Sequence, residues 1–371
     1  MNNNHLTYFK VENFKKFDSL EVFDIGQINL IVGDNNIGKT CLLESLLFDD
    51  YYLRWANNIH QTLYLRGIHL TGEIINSENF DYPINSYFNY ILKDRKNSLK
   101  IEFIRNNLKE TREIEYKGKI SITAEELLRR KDKFNFKQID HWLKFYKNGI
   151  FDELQLMYLD DISLEDFYFP FIKFNLSYSN DIDDYLHLLE KKREENDRKV
   201  NSFSYNHKQE LIKTINKIFD FKITDFSTIH NEDYGMIGIA TKSNQKYIPI
   251  TQFGDGFNKI FRYIVEIMYI KERGESRIMI DEIDTGIHHS KLKNFWISLV
   301  KVCIELDIQL FATTHSKDCM DAIIQAASEN IKMKKKIRLI KLKENKDGSV
   351  KSITYPYDEF EYLVESETEA R

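Results

Sequence analysis

Cysteine, proline and glycine are scarce in this chain, at 3, 4 and 14 of its 371 residues. The cysteines, Cys41, Cys303 and Cys319, are scattered, without a C-x-x-C pair or a histidine at zinc spacing. That excludes a disulfide framework and a zinc module, and the thiols are expected to be reduced in a cytoplasmic protein. Long uncharged apolar runs are also missing. The segment FWISLVKVCIELDIQLFATT is interrupted by Lys301, Glu305 and Asp307, so no membrane span is expected. The opening residues, MNNNHLTYF, lack the charged-then-apolar layout of a secretory signal. A formal net charge of -5 gives no bulk attraction to nucleic acid, while leaving room for local basic patches. The few prolines go with abundant Asn, Ile and Lys, a codon bias without functional content. What is plentiful is apolar and aromatic side chain, 42% and 13% of residues. A chain this long and this apolar buries a large core, arranged as two lobes or as one domain with a large insertion.

Two of the few glycines stand in GDNNIGKT, residues 33–40, in the order G-x-x-x-x-G-K-T. Before it, QINLIV is an apolar run between Gly26 and Gly33 and reads as a buried strand. After it, CLLESLLF places Leu42, Leu43, Leu46 and Leu47 at helical spacing. Strand, glycine loop and helix are the context of a Walker A phosphate loop. With glycine at about 7% of residues, the bare pattern arises by chance roughly once in a hundred chains of this size. Gly33 and Gly38 supply backbone angles and a close approach that a Cβ would block. The amides from Asn36 to Thr40 would face phosphate oxygens at a helix N-terminus, with Cys41 next in line. Lys39 would reach the β- and γ-phosphates of ATP, and Thr40 would ligate Mg²⁺.

A matching carboxylate appears far downstream, in RIMIDEIDTGIHHS. Ile278, Met279 and Ile280 read as a buried strand ending at Asp281, and strand ends in such sheets are where ligands bind. Asp281 would hold Mg²⁺ through water and Glu282 would polarise the attacking water. Taken alone, the same residues fit an acidic strand-to-loop corner. A third apolar strand, IQLFATTHS, ends in His315, which would sense or stabilise the γ-phosphate; a lone histidine there also fits a structural or solvated residue. Between these lies ITQFGDGFNKIFRYIVEIMYI, where Gly254, Asp255 and Gly256 open an amphipathic helix. Alone it is a plain helix N-terminus. As a second cluster of amides it is an anion-binding nest. One nucleotide does not need two nests from one subunit, so the second would close over a nucleotide held by another copy. His288 and His289 invite a metal reading, but no Cys, His or carboxylate partners lie at useful spacing.

In this order the four pieces resemble an ABC-type ATPase head of the RecF/SMC/OLD class. The opening YFKVENFKKFDSLEVFDIGQINLIVGDNNIGKTCLLESLL is similar to the start of that class. Gly254, Asp255, Gly256 and Lys259 fall on its signature motif, among the nucleotide contacts. The segment DEIDTGIHHSKLKNFWISLVKVCIELDIQLFATTHSKDCMDA is most like the OLD-family/AAA_15 ATPases of bacterial antiphage systems. The tail YDEFEYLVESETEAR resembles short AAA_15 ATPases encoded beside a separate effector gene, as in PARIS-type systems. The likeness covers residues 5–50 and 205–371 well and 50–205 poorly, and leaves the Q-loop unassigned. His288-His289 departs from the Leu-Asp of transporter heads, and if OLD-like the protein is expected to lack the TOPRIM-like nuclease half. The resemblance implies an α/β fold: an ABC-ATPase head (P-loop NTPase) with an antiparallel β lobe and a helical insertion. It implies ATP and Mg²⁺ as ligands and a homodimer or higher homo-oligomer. It also implies a separate effector, a toxin or nuclease, and leaves room for a phage-encoded trigger protein and for nucleic acid. A RecF-like ATPase that clamps DNA is the alternative.

By the same reading, residues 1–50 and 205–371 form the ATPase core, 51–122 the rest of the first lobe and 123–204 the helical insertion. Residues 98–118 read as a β-hairpin. The charged 123–200 stretch reads as compact helices without a sustained heptad. Its aromatics, among them Trp142, Phe145 and Tyr146, fit core packing better than base stacking. The basic runs KKR at 191–193 and KMKKK at 332–336 fit solvated faces.

Overall fold

The computed structural model describes residues 4–48, 91–94, 97–117, 142–156, 171–173, 205–218, 222–230, 235–272, 274–328 and 330–366. Contacts divide the chain into two units. One comprises Met1–Ile25, Asp34–Phe169 and Leu342–Thr354; the other comprises Gly26–Gly33, Pro170–Lys341 and Tyr355–Arg371.

The first unit is built on an antiparallel sheet. Strands β1 (Leu6–Phe14) and β2 (Phe17–Val22) form a hairpin, and β4 (Leu99–Arg105) and β5 (Leu108–Lys117) a second. With β6 (Trp142–Lys147) and β7 (Ile150–Leu156) the order is β2-β1-β4-β5-β6-β7. Phe9 and Val11 are buried while Lys10 and Glu12, which alternate with them, are partly exposed, the period-two pattern of a strand with one covered face. The hairpin expected over 98–118 is present as β4 and β5. The helical expectation for 123–204 is overturned at β6 and β7, which are strands. The reason is local: Asn148 and Gly149 both have positive φ, 51° and 75°, which matches the tight turn whose twist suits a hairpin. Asn148 also accepts a bond from the Thr111 amide at 2.8 Å, fixing the turn against β5. The remainder of 123–204 lies outside the described residues, apart from the short strand β8 (Phe171–Lys173). The unit also holds the short helix α1 (Lys39–Ser45).

The second unit carries the sheet that matters for chemistry. Strands β3 (Ile28–Val32), β12 (Arg277–Asp281), β13 (Gln309–Thr313) and β14 (Ile337–Glu344) join β8 in the order β14-β3-β13-β12-β8, parallel throughout. Every residue of β3, β12 and β13 is buried, as expected for a parallel sheet covered on both faces. Helix α4 (His289–Glu305) turns Leu292, Phe295, Trp296, Leu299 and Cys303 inward at helical spacing. At the amino end of the sheet, buried amides satisfy backbone carbonyls: Gln309 Nε2 reaches Gly26 O at 2.7 Å and Gln27 Nε2 reaches Cys303 O at 3.0 Å. Also in this unit are α2 (Tyr205–Ile218) and a small antiparallel sheet of β9 (Ile223–His230), β10 (Gly235–Thr241) and β11 (Ile248–Pro249). Helix α3 (Asp255–Glu272) meets β9 through Phe261 and Phe226, edge to face at 5.6 Å. The C-terminal part holds α5 (Lys317–Ala327), α6 (Ile331–Lys334), the end of β15 (Val350–Pro356) and α7 (Tyr357–Glu365). Among the described residues, no helix is long and apolar enough to cross a membrane.

Candidate active site

The phosphate loop leaves the carboxyl end of β3 at Gly33, whose φ is 143°. Asp34, Asn35 and Asn36 are exposed at its crest, and Asn36 has a φ of 61°. Gly38 has a φ of 112°, and a Cβ there would lie 2.8 Å from Cε1 of Phe17. Glycine is therefore required twice over, by conformation and by space. Gly38→Ala is expected to cost about 1–3 kcal/mol of stability and to disturb the loop. Thermal unfolding that matches the unsubstituted protein would contradict this packing. Lys39 is buried, and its Nζ donates to Asp34 O at 2.7 Å across the loop. Thr40 and Cys41 are half-buried at the start of α1.

The turn between β1 and β2 grips this loop through three consecutive residues. Lys15 Nζ pairs with Glu44 of α1 at 2.6 Å, the two side chains only 7% and 1% exposed. Lys16 Nζ donates to Asn36 O at 2.6 Å, and Phe17 lies against Gly38. Burying one ion pair costs desolvation of both charges, so its value lies in fixing one arrangement of turn and helix rather than in raw stability. Sequence reasoning saw NFKKF only as part of a family likeness. Its role here had no local signal.

In the second unit, the parallel register brings the carboxyl ends of β12 and β13 side by side, with Ile280 opposite Ala312, and β13 beside β3, with Thr313 opposite Ile31. Asp281 is 5% exposed, and its Oδ1 accepts from Thr313 Oγ1 at 2.6 Å. The same hydroxyl accepts from the Glu282 amide at 2.8 Å. Glu282 is held at φ 50°, a conformation costly for a non-glycine residue and typical of functional turns. Thr314 Oγ1 donates to Asp284 Oδ1 at 2.6 Å, and His315 follows, exposed, before Ser316 caps α5. The structure thus brings Asp281, Glu282 and the Thr313-Thr314-His315 run to one edge of the sheet.

Gly254, at φ 84°, is exposed and Gly256 half-buried at the start of α3; among the described residues beyond their own neighbours, nothing lies within 4 Å of a Cβ built at either. Asp255 begins the helix. Lys259 has a different surrounding. It is 6% exposed, its Nζ donates to the Thr285 carbonyl, and it lies 5.7 Å from the ring centroid of Tyr263. Burial drives its pKa down to about 8, against the opposing pull of Asp284, Cys319 and Glu282. Folding therefore disfavours its charged form, and its contribution to stability improves as pH rises from about 8 towards 10.5. His288 accepts from the Ser290 amide as the cap of α4. Among the described residues no group of three or more His, Cys, Asp or Glu could hold a metal. Cys303 and Cys319 are buried free thiols; burial pushes Cys319 up to about 12 and Cys303 higher still, so both stay protonated.

Fold and site together define the class: this is an α/β P-loop ATPase built on a parallel sheet. Over residues 28–318 the chain matches, and so belongs to, the family described as "AAA domain, putative AbiEii toxin, Type IV TA system". An "ATP/GTP phosphatase" of Helicobacter pylori is 22% identical over 382 residues, covering 96% of this chain and 97% of the relative. An uncharacterized protein of Methanocaldococcus jannaschii is 30% identical over 168 residues, 44% of each chain. Among solved structures, the SMC head domain from Thermotoga maritima has a TM-score of 0.47 at 15% identity, covering 95% of this chain and 99% of that one. An SmcHead bound to the C-winged helix domain of ScpA has a TM-score of 0.48 at 13% identity, covering 96% and 99%. The last two likenesses are remote, and the assignment stands on the family match.

Proposed function

We propose that this ATPase works as an assembly in which ATP, held by residues 33–40 of one copy, is closed over by Gly254, Asp255 and Gly256 of another. The observation that carries this reading is the start of α3: Gly254 and Gly256 carry no side chain at the first turn of an 18-residue helix, and among the described residues beyond their own neighbours nothing lies within 4 Å of a Cβ built at either. Helix amides open in this way suit an anion, and the chain's own triphosphate already has a loop of its own. Lys39 binds the β- and γ-phosphates. Glu282 takes the proton of the attacking water, and His315 faces the γ-phosphate. Thr40 and the buried carboxylate of Asp281 are hard oxygen donors, a set that fits Mg²⁺. Bound there, Mg²⁺ would neutralise charge on the phosphate oxygens. Hydrolysis releases the two heads.

The biological role we propose is sensor or scaffold ATPase of an antiphage system, controlling a separate toxin or nuclease. The OLD-like segment around 281–322 supports it, as does a family description that names a toxin and a TA system. The catalytic reading is tested with two inactive variants, Lys39→Ala and Gly256→Arg. The first cannot hold its own ATP. The second blocks the neighbour's phosphate and has room for its side chain, since nothing lies within 4 Å of a Cβ at that position. Mixed, they form one composite site with an intact loop and an intact nest. Activity is expected to return to at most about half the unsubstituted rate if the sites fire independently. Mixed assemblies that form and remain inactive would overturn the shared site.

A further inference from the structure

We infer that Lys259 is a positioning residue that links the nest at the start of α3 to the general base Glu282 of the same chain. This rests on the shared-site reading and extends it to how two sites influence each other.

The link is short. Lys259 lies three residues beyond Gly256, on the same helix. Its Nζ donates to the Thr285 carbonyl, and Thr285 Oγ1 donates to Glu282 Oε2 at 3.3 Å. The Thr285 amide closes the turn by donating to Glu282 O at 3.1 Å. One side chain and one turn therefore connect the nest to the base. Glu282 is also the residue held at φ 50° in that turn, so a small displacement of Thr285 bears on a strained backbone. A buried ammonium is a poor choice for stability alone, because an apolar side chain of the same length would fill the space without desolvating a charge. The contact with Thr285 gives the ammonium a role beyond stability, to hold the turn to the helix. In the shared site, the nest of one chain receives the other chain's ATP, whereas Glu282 acts on its own chain's ATP. The Lys259 link thus reports occupancy of one site to the base of the other.

The test compares the ATP dependence of hydrolysis in unsubstituted protein, Lys259→Met and Thr285→Val. Thr285 is exposed, so Thr285→Val cuts the second half of the link without touching the core. Unsubstituted protein is expected to hydrolyse ATP cooperatively. Each variant should have a Hill coefficient of about 1. Each should also have a kcat lowered about tenfold by a misplaced base, while calorimetric ATP affinity stays within about twofold. Lys259→Met should melt no lower than the unsubstituted protein. The double variant should be no worse than either single one, since both cut one path. Cooperativity retained in Thr285→Val, additive losses in the double variant, or a non-cooperative unsubstituted enzyme would each overturn the inference. Loss of ATP affinity and kcat together in Lys259→Met would do so too. The mixing experiment separates this from the shared site: activity restored in the mixture of Lys39→Ala and Gly256→Arg, together with unchanged cooperativity in Lys259→Met and Thr285→Val, sinks the link and leaves the composite site standing.

Discussion

Lys39→Ala is expected to weaken ATP binding at least about thirtyfold, and at the upper end to abolish it. The side chain is buried, and its ammonium sits inside the loop, donating to the Asp34 carbonyl 2.7 Å away, a neutral acceptor that a triphosphate would displace. Truncating one partner of a buried charge pair costs about 2–5 kcal/mol. That is roughly thirtyfold to several-thousandfold in Kd. The fold should survive, because the strand and helix around the loop are held by Ile28, Leu30, Ile31, Leu42 and Leu43, all at most 1% exposed. Calorimetric titration with ATP, alongside a melting curve, decides the matter. Unchanged affinity would remove the phosphate-loop assignment.

Glu282→Gln should separate binding from turnover. The amide keeps the shape and a hydrogen bond to water, and its carbonyl oxygen can still accept from Thr285 Oγ1. What it cannot do is take a proton. General-base catalysis contributes about a hundredfold to ten-thousandfold, so hydrolysis should fall by that amount while ATP affinity stays. Because release depends on hydrolysis in the proposed cycle, assemblies should persist in ATP, visible as a larger species in size-exclusion chromatography. Full-rate hydrolysis by this variant would move the base elsewhere, with His315 next in line.

The strand at β3, its glycine loop, the strand ending at Asp281 and the glycines before α3 were all legible in the sequence. Each is a short-range pattern: an apolar run, two glycines at fixed spacing, a carboxylate at a strand end. Local patterns of this kind survive without knowledge of what packs on them. The β6–β7 hairpin was also written locally, in Lys147, Asn148 and Gly149 followed by an apolar residue. It was missed because the charge density around it resembles surface helices. Lys259 was legible as a member of the signature segment, but not as a buried side chain. A lysine three residues after a glycine turn reads as exposed unless the body of the protein is known.

The sequence by itself determined the short-range patterns: G-x-x-x-x-G-K-T after a buried strand, adjacent carboxylates at residues 281 and 282 where another strand ends, and two glycines at the start of α3. Only the tertiary structure decided what holds those pieces in place. Lys15 pairs with Glu44 across 29 residues, Thr313 bonds Asp281 across 32, and Lys259 reaches Thr285 across 26. None of these partners is implied by the other's neighbours. Within each unit they meet because sheet register and helix packing bring residues distant in sequence side by side. Once buried there, each charge or hydroxyl must take whatever polar group the packing supplies, since an unpaired one would cost more than the fold can spare.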